Sequence, residues 1–332
     1  MNPAVKDTPR PLTFALLHLL ADGEFHSGEA MAAQLGFSRA SVHNALHDTG
    51  GCGLVLHRVR GRGYRLAQPL YWLNTAMIES QLADVGRKVH LEIADHATST
   101  NAVLLQRAAL GAPSGSVLAA EWQSAGRGRL GRSWHAGLGD ALTFSLLWRF
   151  GCGVGALSGL SLAVGVAVLR AMDELGVQGV GLKWPNDILL GEGKLAGILL
   201  EAQGDMLGPS AVVIGIGLNL AVSETTRAAI GQPVGDLAAA GVPLAERNRV
   251  FGMLLKHLLR ILDEFAAHGF GVLRAEWERN HVFQQRTVTL VLPDGVQVTG
   301  QVRGVTDEGA LRVTTAAGEQ VFHAGEISLR GC

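Results

Sequence analysis

Two apolar, strand-like runs, Val117 to Gln123 and Ala141 to Phe150, flank a segment reading Gln123-Ser-Ala-Gly-Arg-Gly-Arg-Leu-Gly-Arg-Ser-Trp134. Any fold for this chain must therefore suspend a cationic, glycine-rich loop between two buried strands. Arg127, Arg129 and Arg132 are interleaved there with Gly126, Gly128 and Gly131. Glycine lets a backbone approach a ligand closely, and guanidinium groups present planar, always-charged forks suited to phosphate or carboxylate oxygens. The segment reads as an anion clamp, expected to be mobile when empty. Gly126, Gly128 and Gly131 also satisfy the spacing of a dinucleotide fingerprint, but such a loop must open a helix that holds the pyrophosphate. Here the continuation carries Gly137 and Gly139 and then a strand, and the chain has no Gly-Lys-Ser or Gly-Lys-Thr for a P-loop.

A chain of 332 residues with 48% hydrophobic and 17% charged residues has ample material for folded cores, and its length suggests two or three domains of roughly 100 to 200 residues. The formal charge of -1 gives no global field for nucleic acid or anionic membrane, so any such contact must be local. Cys52, Cys152 and Cys332 are odd in number and scattered, which fits a reducing cytoplasm better than a disulfide framework or a metal site. The first ten residues lack the apolar stretch of a secretory signal. Gly153 to Leu169 is short and rich in Gly and Ser for a membrane span. It is read as a buried helix running on to Leu175, and no membrane partner is expected.

Composition shifts divide the chain at residues 1–69, 70–280 and 281–332. In the first part Pro11 to Ala21, Ser27 to Leu35 and Ser38 to about Thr49 read as helices. Gly50-Gly-Cys-Gly53 then breaks the chain loosely, and Leu54 to Leu66 alternates around Arg60-Gly-Arg-Gly63. That order predicts a winged helix-turn-helix. Its third helix would offer Ser38, Arg39, Ser41, His43, Asn44 and His47 to bases, while Arg58, Arg60, Arg62 and Arg65 touch phosphates. A dimer or docking unit has the same outline, and the third helix is poor in basic residues.

In the central part, Val89 to Asp95 reads as a strand and Ala102 to Leu110 as a helix. Ser99, Thr100 and Asn101 serve either as its cap or as hydrogen-bonding groups for a neutral polar ligand. Gly181 to Leu190 and Lys194 to Ala202 read as a hairpin. Pro185 disfavours helix at Trp184 and holds Lys183, Asn186 and Asp187 on extended backbone. Lys183, Asp187 and Lys194 beside the arginine loop form a mixed-charge site suited to phosphoryl or acyl-adenylate chemistry, with a carboxylate available for Mg2+. Gly215 and Gly217 leave room for something to lie against the strand Val212 to Leu220, with Asn219 as a polar contact. Leu244 to Gly269 is a long core helix. Turns at Pro293-Asp-Gly295, Asp307-Glu-Gly309 and Ala316-Ala-Gly318 predict a small all-β barrel in the last part.

Taken in order, Ser99-Thr-Asn101, Gln123 with the arginine loop through Trp134, Lys183-Trp-Pro-Asn-Asp187, Lys194-Leu-Ala-Gly197, Gly215-Ile-Gly-Leu-Asn219 and Gly325-Glu-Ile-Ser-Leu329 resemble the biotin protein ligases. The resemblance covers essentially the whole chain and extends to bacterial members that also repress biotin genes. It implies an α+β protein: a winged helix-turn-helix, a central α/β domain like class II aminoacyl-tRNA synthetases, and an SH3-like barrel. It also implies ATP, biotin and Mg2+, with biotinyl-5′-AMP formed first and the biotinyl group then passed to a lysine of the biotin carboxyl carrier protein of acetyl-CoA carboxylase. By the same resemblance Ser99, Thr100 and Gln123 contact the biotin head group. Arg127, Arg129 and Lys194 hold ligand, and Gly126 and Arg132 belong to the same loop. Gly128 and Gly197 admit close backbone approach, Trp134 covers adenine, and Asn186 and Asp187 lie near phosphate and metal. Lys194, Arg129, Lys183 and Asp187 are expected to carry catalysis. A homodimer formed on adenylate binding would present two winged helices to operator DNA. A lipoate or octanoate ligase, and a ligand-sensing repressor without ligase activity, are the competing readings.

Overall fold

The computed structural model describes residues 9–86, 89–292, 295–323 and 328–331. The chain start through Thr8, the Pro293-Asp294 part of a predicted turn, Gly325 to Ile327 of the last motif, and Cys332 lie outside the described residues.

Three helices open the structure: α1 (Pro11–Leu19), α2 (Gly28–Leu35) and α3 (Arg39–His47). The Ser27 hydroxyl accepts from the N–H groups of Glu29 and Ala30 and fixes the start of α2. Gly36 ends that helix in the left-handed region, at φ 71°. A hairpin of β1 (Leu56–Val59) and β2 (Gly63–Leu66) follows in antiparallel register. The glycine run between α3 and β1 is not the loose break expected. Asp48–Cys52 forms a 3-10 turn, Cys52 is fully buried, and its carbonyl accepts from Leu138 N–H at 2.8 Å. Phe14, Leu16, Leu17, Val42 and Leu46 form one apolar cluster with Trp122 and Leu138 of the central part. The helical module is thus seated on the sheet.

After α4 (Thr75–Glu79), β3 (His90–Ala97), β4 (Ser116–Gln123) and β5 (Ala141–Phe150) enter a sheet with the order β3-β4-β5-β9-β8-β7-β6. The remaining strands are β6 (Val180–Lys183), β7 (Asp187–Leu190), β8 (Gly193–Gly204) and β9 (Ser210–Asn219). Only β3 and β4 pair in parallel, because α5 (Thr100–Ala109) carries the chain back between them. The sheet is covered on both faces, which explains the near-continuous apolar run of β5. The 21-residue segment from Val154 to Glu174 is long and apolar enough to cross a membrane by length and composition. Within it α6 (Leu160–Glu174) is a buried helix, with Ala163, Val164 and Val166 fully buried. It packs beside α8 (Arg247–His268), whose core side carries Leu254, Leu255, Leu258, Leu259, Leu262 and Phe265 as expected, with Phe251 in addition.

Beyond α7 (Glu224–Ile230) and α9 (Arg274–Arg279), β10 (Thr287–Val291), β11 (Gln297–Val305), β12 (Leu311–Thr315), β13 (Gly318–Phe322) and β14 (Ser328–Gly331) form an antiparallel sheet of order β13-β12-β11-β10-β14. It docks through the predicted Asp307-Glu-Gly309 turn. The Gly309 carbonyl accepts from Trp184 Nε1 at 3.1 Å, so this sheet buttresses the Lys183-Trp-Pro-Asn-Asp187 segment.

Candidate active site

One cavity of about 660 Å3 opens over the C-terminal end of β4 and the middle of β8 and β9, within the size range of small-molecule sites. The predicted ligand-binding and catalytic residues converge on it with one exception. Gly126 does not line the cavity. Its carbonyl accepts from Trp134 N–H at 2.9 Å, and a Cβ there would stand 2.6 Å from the Trp134 carbonyl, so this glycine closes the base of the loop.

At one end the groups are neutral and hydrogen-bonded. Ser99 caps α5 through Ala102 N–H at 3.5 Å, which satisfies the capping reading while leaving Ser99 on the cavity wall. Gln123 ends β4, and its Oε1 accepts from Thr100 N–H at 2.8 Å. The hydroxyl of Ser145 lies 2.7 Å from Thr100 Oγ1 and 2.5 Å from Asn101 Oδ1. The Asn101 amide donates to the Leu199 carbonyl at 3.3 Å and to Glu201 Oε2 at 2.9 Å. Asn101 is therefore an internal connector, with its hydrogen-bonding capacity engaged by protein. Gly215 makes room for it: a Cβ at that position would meet Asn101 Oδ1 at 2.1 Å.

The other end is cationic. Arg127, Gly128, Arg129 and Arg132 reach the cavity from the loop, Lys183 and Lys194 from the β6 to β8 hairpins. The loop is tied together rather than shapeless. Gly128 N–H donates to the Arg132 carbonyl at 2.7 Å, and Arg127 and Ser133 form an antiparallel bridge. At its tip Leu130 takes φ 55°, a left-handed conformation for an exposed branched side chain. Arg127 Nη2 pairs with Glu201 Oε1 at 2.9 Å. Arg129 Nη1 donates to Asn186 Oδ1 at 3.0 Å, and the Asn186 amide donates to the Ile198 carbonyl at 2.8 Å. Burial holds the Arg129 guanidinium below its usual range, the Asp187 carboxylate opposes that shift, and Arg132 adds to it; a guanidinium stays charged nonetheless.

Lys194 Nζ lies 2.6 Å from Asp187 Oδ1. Asn219 lines the cavity, but its amide donates to the carbonyls of Lys194 at 2.9 Å and Gly235 at 3.1 Å, so it fixes the backbone beneath Lys194. The Trp134 indole lies on a bed of Gly217 and Gly197: a Cβ at Gly217 would be 2.4 Å from the ring, and one at Gly197 3.3 Å. The room predicted at Gly215 and Gly217 is thus filled by Asn101 and Trp134 of the same chain.

Among the described residues no group of three His, Cys, Asp or Glu side chains stands ready for a metal. Asp187 offers one carboxylate, already facing an ammonium. This donor set fits only a magnesium ion that arrives with a polyphosphate and takes most of its ligands from phosphate and water.

Three contributions escaped sequence reasoning. Ser145, fully buried, was visible as one of two hydroxyl residues, with Thr143, in an apolar strand. Glu201 gave no local sign. The segment from Ala229 to Gln232, with Val234, forms a further wall and gave none either.

The predicted base-contacting residues lie on the helical module. Ser38, Arg39, Asn44 and His47 are exposed, whereas His43 Nδ1 is within 3.2 Å of the Tyr64 hydroxyl and Ser41 bonds to Ser38. In the hairpin Arg60 is exposed, and the Arg62 and Arg65 guanidinium groups sit 4.1 and 4.7 Å from the Phe25 ring.

Comparison with known proteins matches residues 94–219 to the biotin/lipoate A/B protein ligase family and residues 286–330 to the biotin protein ligase C-terminal domain. The bifunctional ligase/repressor BirA of Salmonella typhimurium is 38% identical over 327 residues, covering 98% of this chain and 99% of the relative. The biotin--[acetyl-CoA-carboxylase] ligase of Mycobacterium tuberculosis is 37% identical over 71% of this chain and 88% of its own length. Among solved structures, the biotin protein ligase from Aquifex aeolicus in complex with biotin and ATP aligns with a TM-score of 0.62 and 27% identity, covering 73% of this chain and 99% of that one.

Proposed function

The chain belongs to the biotin protein ligase family, and we infer that the cavity joins biotin to an acceptor lysine in two steps at the expense of ATP. One observation carries this reading: a neutral hydrogen-bonding pocket at Ser99, Thr100 and Gln123 opens into the same cavity as the cationic groups Arg127, Arg129, Lys183 and Lys194. A ureido ring is neutral and needs paired donors and acceptors, whereas a carboxylate and a triphosphate repel each other unless cations stand between them. In the first step a biotin carboxylate oxygen attacks the α-phosphorus of ATP and pyrophosphate leaves. In the second the neutral ε-amine of the acceptor lysine attacks the acyl carbon, AMP leaves, and the amine proton passes to solvent or to AMP.

Arg129, Lys183 and Lys194 serve to neutralise the phosphates at attack distance. Asp187 holds Lys194, and Asn186 holds Arg129. Asp187 with the phosphates would hold Mg2+, which supplies further charge neutralisation when bound. Gly128 and Gly197 admit close approach of ligand, and Trp134 walls the nucleotide side. Two relatives matching 71% and 70% of the chain are named biotin--[acetyl-CoA-carboxylase] ligase, which favours biotin over lipoate. The deciding test is ATP-dependent transfer of labelled biotin to a biotin carboxyl carrier domain. Tight biotin binding without transfer would instead support a sensor.

Gly217→Ala tests the wall. Its added Cβ would collide with the Trp134 ring, and overpacking of this kind costs about 1–3 kcal/mol, which predicts a fall of roughly tenfold in adenylate formation. A stopped-flow ATP assay reads it, and an unchanged rate would remove Trp134 from the wall.

Residues 1–69, 70–280 and 281–332 are proposed as a winged helix-turn-helix, a class II synthetase-like catalytic domain and an SH3-like barrel. A repressor role is supported by the relatives: those matching 98% of the chain are named ligase/repressor, while two matching 71% and 70% are named ligase alone. The module would bind operator DNA as a homodimer when biotinyl-5′-AMP is held, in the cytoplasm, with Arg39 and Arg60 among the phosphate and base contacts. Arg60→Ala should weaken duplex binding uniformly across sequences and flatten its salt dependence. A gel-shift series in increasing salt measures both; no binding at low salt would end the repressor reading.

A further inference from the structure

The polar side chains beneath the head-group pocket do not stop at that pocket. Gln123 bonds to Thr100, Thr100 meets Ser145, Ser145 meets Asn101, Asn101 donates to Glu201, and Glu201 pairs with Arg127 of the clamp. A carbonyl oxygen can only accept, so the Ser145 proton goes to Asn101 Oδ1, and the Asn101 amide nitrogen is directed at Glu201. Asn101 is almost fully buried and is held a second time by the Leu199 carbonyl. Glu201 thus has one oxygen on a rigid internal anchor and the other on an arginine whose side chain is 48% exposed. Two other cations of the cavity have partners of their own, Asn186 for Arg129 and Asp187 for Lys194.

We propose that Glu201 is a positioning residue: it anchors Arg127, and with it the first half of the clamp loop, to the wall of the head-group pocket. Through that anchor the loop closes over the biotin end of the cavity independently of the groups that neutralise phosphate. Its loss would let the vitamin escape faster without slowing phosphoryl chemistry at the other end. This inference rests on the ligase reading given above.

Glu201→Gln is the informative variant, because an amide oxygen still accepts from Asn101 while the charge that holds Arg127 is gone. A charge-assisted hydrogen bond, discounted for the exposure of Arg127, predicts biotin dissociation faster by roughly three- to tenfold. The KM for biotin should rise in parallel, with kcat for adenylate formation and the KM for ATP at wild-type values. Arg127→Gln should give the same change in biotin release, and the double variant should be no worse than either single one, since both remove one contact. Glu201→Asp, which keeps charge on a shorter stem, should fall between. Wild-type release from Glu201→Gln, additive effects in the double variant, or a fall in kcat matching the rise in KM would overturn the proposal. If the wild-type protein itself neither bound nor transferred biotin, the ligase reading would fail, whatever Glu201 does.

Discussion

Lys194→Ala should lower biotin-dependent ATP–pyrophosphate exchange by on the order of 100- to 1000-fold, the loss expected when one preorganised charge-stabilising donor is removed from a desolvated site. The size follows from what the variant leaves behind. Lys194 is held by its neighbours: its N–H donates to the Pro233 carbonyl at 3.0 Å, its carbonyl accepts from Asn219, and Nζ lies 2.6 Å from Asp187 Oδ1. Without the ammonium, Asp187 faces incoming phosphates as an unpaired anion. Repulsion is then added to lost attraction. Lys194→Ala/Asp187→Asn should recover part of the loss at most, because the second change removes that repulsion together with the carboxylate that would hold Mg2+. Lys194→Arg should recover little, since a planar fork does not fit the place of a compact ammonium. Thermal unfolding of Lys194→Ala should stay close to wild type, because partly exposed ion pairs contribute little to stability. Exchange at near wild-type rates would exclude Lys194 from the chemistry.

The local parts of this site were legible in the sequence because their chemistry is local. Arginines alternating with glycines announced a clamp, Pro185 announced extended backbone for Lys183 and Asp187, and Ser99 announced both a helix start and a polar contact. What sequence could not supply was the partner of each group across the sheet. Asn101 looked like a ligand-facing amide, yet β8 and β5 bring Glu201 and Ser145 to it from residues far along the chain, and its bonds are internal. The space at Gly215 and Gly217 was foreseen, but its occupants come from α5 and from the loop after β4. Gly50 to Gly53 read as slack because glycine composition carries no knowledge of Leu138, whose N–H takes up the Cys52 carbonyl. The buried α6 followed from a stretch too short and too rich in Gly and Ser for a membrane span, and the core-facing α8 from its apolar spacing. The seating of the helical module on Trp122 did not, since an apolar residue in a strand does not say which neighbour covers it.

Arg247→Ala should destabilise the protein by about 3–5 kcal/mol, the penalty for breaking a buried ion pair from one side. Arg247 stands at the first residue of α8, where the helix macrodipole disfavours a cation. It is tolerated there because Nη1 lies 2.8 Å from Glu121 Oε2, with both side chains almost fully buried. The same Nη1 donates to the Tyr71 carbonyl, Glu121 Oε1 accepts from Leu73 N–H at 2.6 Å, and Asn248 Oδ1 accepts from Asn74 N–H at 2.7 Å. One buried pair therefore fixes the connection between the helical module and the sheet. Glu121 also sits two residues before Gln123 on β4, so the strand that carries the head-group contact shares the anchor. Removing the guanidinium leaves Glu121 charged, buried and half-satisfied. Calorimetry should show a lower Tm by roughly 6–20 °C, and limited proteolysis should cut first near residues 67–74. Glu121→Gln/Arg247→Met should be markedly less damaging than the sum of its single changes, because no charge is then stranded. A small shift in Tm for Arg247→Ala, or additive losses in the pair, would mean that apolar packing around Trp122 holds the module in place and the ion pair is incidental.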